Sequence, residues 1–160
     1  MLEIDQYLDK QWFVLPLEKK SKRPDRFLHR GYLGASNNKK VVEQWFTDIK
    51  LNIGINLVKS NLVVLDFDFR NSIDQRFNYL LKFCLYLNTY TVKTADGYHF
   101  YFICNPNDQF KGKITDGIDI KHKGYVAAPP SIHPTGIKYR VINDSEPIKL
   151  PSNLRLLMQC

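Results

Sequence analysis

Apolar positions along this chain recur in two periods, and the switches between them mark out the elements. Residues 2–10 have the spacing of a short helix. Gln11 to Leu17 (QWFVLPL) reads as a strand, and Pro16 suits a sheet edge because proline cannot donate to a ladder. Lys19 to Asn38 is a long basic loop with little periodicity; a loop of that length in a compact domain is usually functional or disordered. Val41, Val42, Trp45, Phe46 and Ile49 repeat at helical spacing, with Asn37 or Asn38 placed to cap. NIGINLV and NLVVLDFDF are two strands joined by Lys59–Ser60–Asn61. Ser72 and Gln75 form a capping-box pattern that opens a helix to about Leu87, with Ile73, Phe77, Leu80, Leu81 and Cys84 on one stripe.

The second half alternates at the strand period. TYTVKTA and YHFYFIC flank Asp96–Gly97, a hairpin signal. GIDIK and GYVAAPP read as a further pair, IKYRVI as a late strand, and Ser152 as the cap of a closing helix through Met158. Strands and helices mix without regular βαβ alternation, which predicts an α+β fold with a largely antiparallel sheet. There is no internal repeat or Gly/Ser linker, so one domain is expected over 1–160. Its N-terminal unit would cover about 1–60, its main sheet about 61–142 and its closing helix about 152–158.

Charge changes the picture. The 160 residues carry 23 Lys plus Arg against 16 Asp plus Glu, a net +7, which favours a polyanionic partner. Residues 1–60 hold 11 basic and 7 acidic side chains, residues 61–120 hold 6 and 7, and residues 121–160 hold 6 and 2. An acid-bearing middle thus lies between basic flanks. No apolar run approaches the roughly 20 residues of a membrane span, and MLEIDQYLDK has no secretory pattern. Cys84, Cys104 and Cys160 are odd in number and lack a CxxC pair, which argues against a disulfide framework and a zinc ribbon. A reducing, cytoplasmic setting with no membrane partner is expected.

Between Leu62 and Phe69, residues Leu62, Val64, Asp66 and Asp68 face one side, and Val63, Leu65, Phe67 and Phe69 the other. Two carboxylates on one face of a strand lie roughly 6–7 Å apart. On a buried strand such a pair stays ionised at modest cost only with a cation between them, and their oxygens suit Mg²⁺ or Mn²⁺. Two solvated acids where a strand meets its loop would read the same way. Asp119 adds a third carboxylate, opposite in facing to Ile118 and Ile120, with Lys121 on its own side. Three carboxylates on neighbouring strands can hold two metals about 3.5–4 Å apart. His99 shares a face with Tyr101, while Tyr98, Phe100 and Phe102 face away; beside such acids it suits a phosphate donor. A DxDxT phosphatase is excluded by Arg70 in the Thr position, and no GxxxxGK[ST], GxGxxG or HExxH element is present.

The ordered series KSKRP (Lys20 to Pro24 at its core), Trp45 before NIGI, VVLDFD, VKTADGYHFYF, GIDIK and GYVAAPPSIHPTG covers roughly residues 12–140. It resembles the primase–polymerase (prim-pol) branch of the archaeo-eukaryotic primase superfamily, found in replication proteins of plasmids, phages and other mobile elements. The resemblance implies a small α/β unit beside an RNA-recognition-motif-like catalytic sheet. It implies Asp66, Asp68 and Asp119 as ligands of two Mg²⁺ or Mn²⁺ ions and His99 as a contact to the phosphates of the incoming nucleotide. Gly97 keeps the small residue of the small–x–His motif, although many relatives have a Ser/Gly-Gly pair where this chain has Asp96–Gly97. Lys121, Ser131, His133 and Lys22 would join the nucleotide site, and Lys20 and Arg23 would grip nucleic acid.

The implied activity is template-directed nucleotidyl transfer, as a DNA primase, a DNA polymerase or both. The implied partners are template and primer DNA, dNTP and/or NTP, and a helicase or helical accessory domain in cis or in trans. No such accessory pattern and no zinc-binding stem accompanies the core, so primer extension is expected ahead of initiation. Two other readings stay open: a catalytically silent nucleotide- or nucleic-acid-binding module of the same fold, and a metal-dependent nuclease.

Overall fold

The computed structural model describes residues 3–47, 50–71 and 74–160. Ordered in the chain are α1 (Asp5–Asp9), β1 (Val14–Leu17), a 3-10 turn (Gly31–Gly34), α2 (Lys39–Trp45), β2 (Asn52–Asn56), β3 (Leu62–Asp68) and α3 (Gln75–Tyr86). There follow β4 (Thr91–Lys93), β5 (Gly97–Ile103), β6 (Lys113–Thr115), β7 (Ile118–Lys121), β8 (Tyr125–Ala128), β9 (Arg140–Asn143), β10 (Ile148–Lys149) and α4 (Ser152–Met158). This is an α+β fold in which β1–β2, β2–β8, β3–β5, β3–β7, β4–β5 and β6–β7 pair antiparallel and β5–β10 parallel.

The chain divides into two compact units. Residues 1–60 and 123–140 form the first, 61–122 and 141–160 the second. In the first, three strands run in the order β1-β2-β8. Pro16 is on an edge strand, where its missing N–H costs no ladder bond. Asn38 caps α2 by accepting from Val41 N; Ile49, at the end of the expected helical stripe, lies outside the described residues. The basic segment after β1 is ordered, not a structureless loop. Glu18 N donates to Arg23 O at 2.9 Å and Asp25 N to Pro16 O at 3.0 Å, so the chain folds back on β1.

In the second unit the strands run β6-β7-β3-β5-β4-β9, with β10 continuing beside β5. Val63, Leu65, Phe67, Phe100, Phe102, Ile118 and Ile120 line one face of this sheet and pack with Phe77, Leu80 and Cys84 of α3 and Leu154 and Met158 of α4. Those α3 residues recur at i, i+3 and i+7, the apolar stripe of a core-facing helix.

Several expectations need correction. GIDIK and GYVAAPP do not pair: β7 joins β3, whereas β8 joins β2. NIGINLV and NLVVLDFDF are two strands joined by Lys59–Ser60–Asn61 as expected, and they enter different sheets. Asp74 caps α3, accepting from Phe77 N at 2.7 Å; the expected Ser72 cap and Ile73 lie outside the described residues. The closing helix begins at Ser152 with Pro151 before it and no side-chain cap. The β4–β5 turn is Thr94–Asp96, and Gly97 already belongs to the strand.

Candidate functional site: an acidic row on the central strands

Alternation puts the odd residues of β3 in the core and turns its even residues to the opposite face. Register then decides what stands beside them. Asp66 is opposite His99 on β5 and opposite Asp119 on β7. Directly opposite residues of antiparallel strands project on one face, so Asp119, Asp66 and His99 form a row across three strands. Asp68 lies two positions further along β3, opposite Gly97.

The row is graded in exposure. The His99 side chain is 8% exposed and that of Asp66 27%, their Nε2 and Oδ1 atoms 3.5 Å apart. Asp119 is 50% exposed and meets Lys121 Nζ at 3.0 Å through Oδ2. Asp68 turns onto Arg70. Arg70 Nη2 donates to Asp68 Oδ2 at 2.5 Å, Arg70 Nε to Oδ1 at 3.0 Å, and the Arg70 backbone N to Oδ1 at 2.9 Å. That contact holds the guanidinium above its already high ordinary pKa, with smaller help from Asp96 and Asp66.

The end of β3 is gripped from both sides. Asp68 N donates to Gly117 O, and Phe69 N to Asp96 O, each at 2.8 Å. Gly97 is needed for this approach: a Cβ there would lie 1.6 Å from Phe67 O. Lys93 supports the same corner, its Nζ 3.2 Å from Gly97 O and 4.6 Å from the Tyr98 ring centroid.

Carboxylate oxygens beside an imidazole suit a hard divalent cation in kind, and the register places Asp66 and Asp119 side by side. Among the described residues, however, no three His, Cys, Asp or Glu are grouped closely enough to hold a metal ion. Asp68 and Asp119 point to Arg70 and Lys121 instead. Arg70 and Asp96 are the parts of this site that the sequence reading missed. The signal was a base two residues after the second acid.

The remaining sequence-derived residues belong to the first unit. Lys20, Lys22 and Arg23 are exposed on the folded-back segment. Its backbone is pinned, Ser21 O accepting from Asn52 Nδ2 at 2.9 Å and Lys22 O from the Tyr125 hydroxyl at 2.5 Å. Ser131 is buried, its hydroxyl accepting from Ile53 N at 2.8 Å and donating to Ile53 O at 3.1 Å. His133 Nδ1 lies 2.8 Å from the Thr135 hydroxyl and accepts from Thr135 N at 3.2 Å.

Among the described residues no helix is long and apolar enough to cross a membrane. The sequence pattern of the Prim-Pol family, described as bifunctional DNA primase/polymerase, N-terminal, matches residues 5–153. No curated protein matches the chain.

Proposed function

This chain belongs to the Prim-Pol family, and on that premise we propose that it is a template-directed nucleotidyltransferase that extends a DNA primer. The observation that carries this reading is the row Asp119–Asp66–His99 in register on β7, β3 and β5. Like charges directly opposite each other destabilise a sheet. A strand pair that sets Asp66 against Asp119 is therefore better explained by a task for the two acids than by folding.

Asp66, Asp119 and Asp68 would hold divalent Mg²⁺ or Mn²⁺. When bound, such ions lower the pKa of an attacking hydroxyl and neutralise charge on a triphosphate. The chain's own residues do the rest. Asp66, fixed on the middle strand between two neighbours, orients the donor oxygens. His99 is held beside it with little freedom, so an N–H can be presented to a phosphate oxygen without reorganisation. Lys121 adds positive charge on the Asp119 side. Gly97 lets the β3 and β5 backbones close, which sets the spacing between Asp68 and His99. In the first unit Lys20, Lys22 and Arg23 offer exposed cations on a rigid backbone, suited to phosphate contacts that carry no sequence information. Ser131 would act by fixing the turn after β8, and His133 would present its Nε2 to a nucleotide.

The test is nucleotide incorporation: protein, Mn²⁺ or Mg²⁺, labelled dNTP and a template, with and without a primer, beside Asp66→Ala/Asp68→Ala. Primer-dependent product that the double substitution abolishes is the expected result. Equal product from both proteins removes the assignment, and metal-dependent template degradation without synthesis replaces it with a nuclease.

A further inference from the structure

The folded-back segment after β1 carries more than cations. Phe27 is 45% exposed and Tyr32 40%, and Lys22, Arg23, Arg26 and Arg30 are exposed around them in the sequence. Both rings stand on hydrogen-bonded backbone within the first unit. Phe27 N donates to Asp25 Oδ1 at 3.2 Å, Leu28 N to Asp25 O at 3.0 Å and Gly31 N to Leu28 O at 2.8 Å. Tyr32 O accepts from Asn56 Nδ2 at 2.9 Å and Leu33 O from Lys59 Nζ at 2.8 Å. The Tyr32 ring also lies 6.0 Å from that of Tyr125, centroid to centroid. Five residues apart, Phe27 and Tyr32 have Cα atoms no more than roughly 18 Å from each other, within the span of a few nucleotides. Aromatic rings left in water forgo the gain of burial, and rings on a fixed backbone lose less freedom when a partner covers them.

We propose that Phe27 and Tyr32 are stacking platforms for unpaired bases, which makes this segment a docking surface for single-stranded DNA. An exposed ring face accepts a base of any sequence, and cations interleaved with the rings meet the phosphates on either side of it. Charge complementarity selects this occupant over an apolar protein surface, which would cover Lys22, Arg23 and Arg30 without supplying counter-ions. Duplex DNA would meet the same cations, but its bases stack on one another and leave the rings without a partner. The proposal rests on the nucleotidyltransferase reading only for the choice of DNA; docking itself requires no catalysis.

The experiment is fluorescence anisotropy of the whole chain in EDTA with a labelled DNA strand of about 12 nucleotides. The same strand with abasic sites throughout, a duplex of equal length and phosphatidylserine vesicles are the comparison probes. Wild type is compared with Phe27→Ala, Tyr32→Ala, Phe27→Ala/Tyr32→Ala and the ring-keeping Phe27→Tyr/Tyr32→Phe, with thermal unfolding of each. Either alanine should weaken binding of the intact strand roughly 5-fold or more, with the slope of log K against log salt unchanged, because no phosphate contact is lost. The ring-keeping variant should bind as wild type does, and duplex affinity should be the same throughout. Wild type should hold the abasic strand as weakly as the double alanine variant holds the intact one. Equal binding of abasic and intact strands by wild type overturns the proposal without recourse to any variant. So does an intact-strand affinity within about twofold of wild type in the double alanine variant, an equal loss on duplex, or binding of the vesicles in place of the strand. Primer extension run beside these arms keeps the two readings apart. If Asp66→Ala/Asp68→Ala abolishes extension but the abasic strand binds as well as the intact one, only the docking proposal fails. If stacking is seen and no extension occurs, the nucleotidyltransferase reading fails and the docking proposal stands.

Discussion

Asp66 and Asp119 are direct cross-strand partners, two acids set opposite each other on β3 and β7, with His99 completing the row on β5. Sheet stability disfavours that placement, and Lys121 beside Asp119 offsets part of it, while Arg70 pairs with Asp68 two positions along β3. Lys121 is tied to its acid through one contact at 3.0 Å, Arg70 through a fork. The two cations therefore differ in how firmly they fix a carboxylate.

Replacing His99 separates phosphate contact from metal binding. His99→Gln should lower kcat/KM for the incoming nucleotide roughly 10- to 100-fold, in the range of losing one preorganised donor. Mn²⁺ affinity should stay within about twofold of wild type. Steady-state kinetics beside a Mn²⁺ titration reads both, and a large fall in Mn²⁺ affinity would make His99 a ligand instead.

Gly97→Ala is expected to destabilise the protein by about 1–3 kcal/mol, the usual cost of overpacking. The new methyl would fall 1.6 Å from Phe67 O, so β3 and β5 must part at the end that carries Asp68. Thermal unfolding measures the loss, and an unchanged melting temperature would mean the strands approach less closely than described.

The basic segment predicts a salt signature. Lys20→Ala/Arg23→Ala should weaken binding to single-stranded and primed DNA alike, whatever their sequence. It should flatten the slope of log K against log salt by about 1–2. A change confined to one sequence would point to base contacts.

The thiols predict an alkaline limit. Burial pushes Cys84 from its ordinary 9.0 up to about 12 and Cys104 up to about 11, the latter with a smaller push from Asp108. Their neutral forms are favoured by folding. This contribution is complete below pH 9 and is lost as pH rises through 11 to 12 while the unfolded chain ionises. Cys160 is exposed and Cys84 buried, so a thiol reagent at pH 8 should label Cys160 at once and Cys84 only on unfolding. Mass spectrometry of the labelled chain distinguishes them.

The acidic row was legible because strand alternation is strict. In VVLDFD the apolar odd positions had to face a core, which left both aspartates on the other side, and Ile118 and Ile120 fixed Asp119 in the same way. Which strands are neighbours was not legible. Only His122 and Lys123 separate GIDIK from GYVAAPP, so a hairpin was the local reading. Burial of Val126 to Ala128 against Ile53 and Ile55 prevailed, with Gly124 turning the chain at positive φ. The helix cap was misread for a related reason. Ser72 and Asp74 both precede Phe77 in the sequence, and Asp74 stands at the three-residue distance from Phe77 N that the helix start uses. Arg70 escaped notice as a site residue because its role depends on the side-chain pose of Asp68, which no spacing rule encodes.

The most direct measurement is template-directed primer extension by Asp66→Asn in Mn²⁺, on protein shown to melt at the wild-type temperature. The substitution keeps the shape of the side chain and removes its charge at the middle of the row. Extension should fall by roughly 100-fold or more, whereas extension at the wild-type rate would contradict a catalytic role for the row.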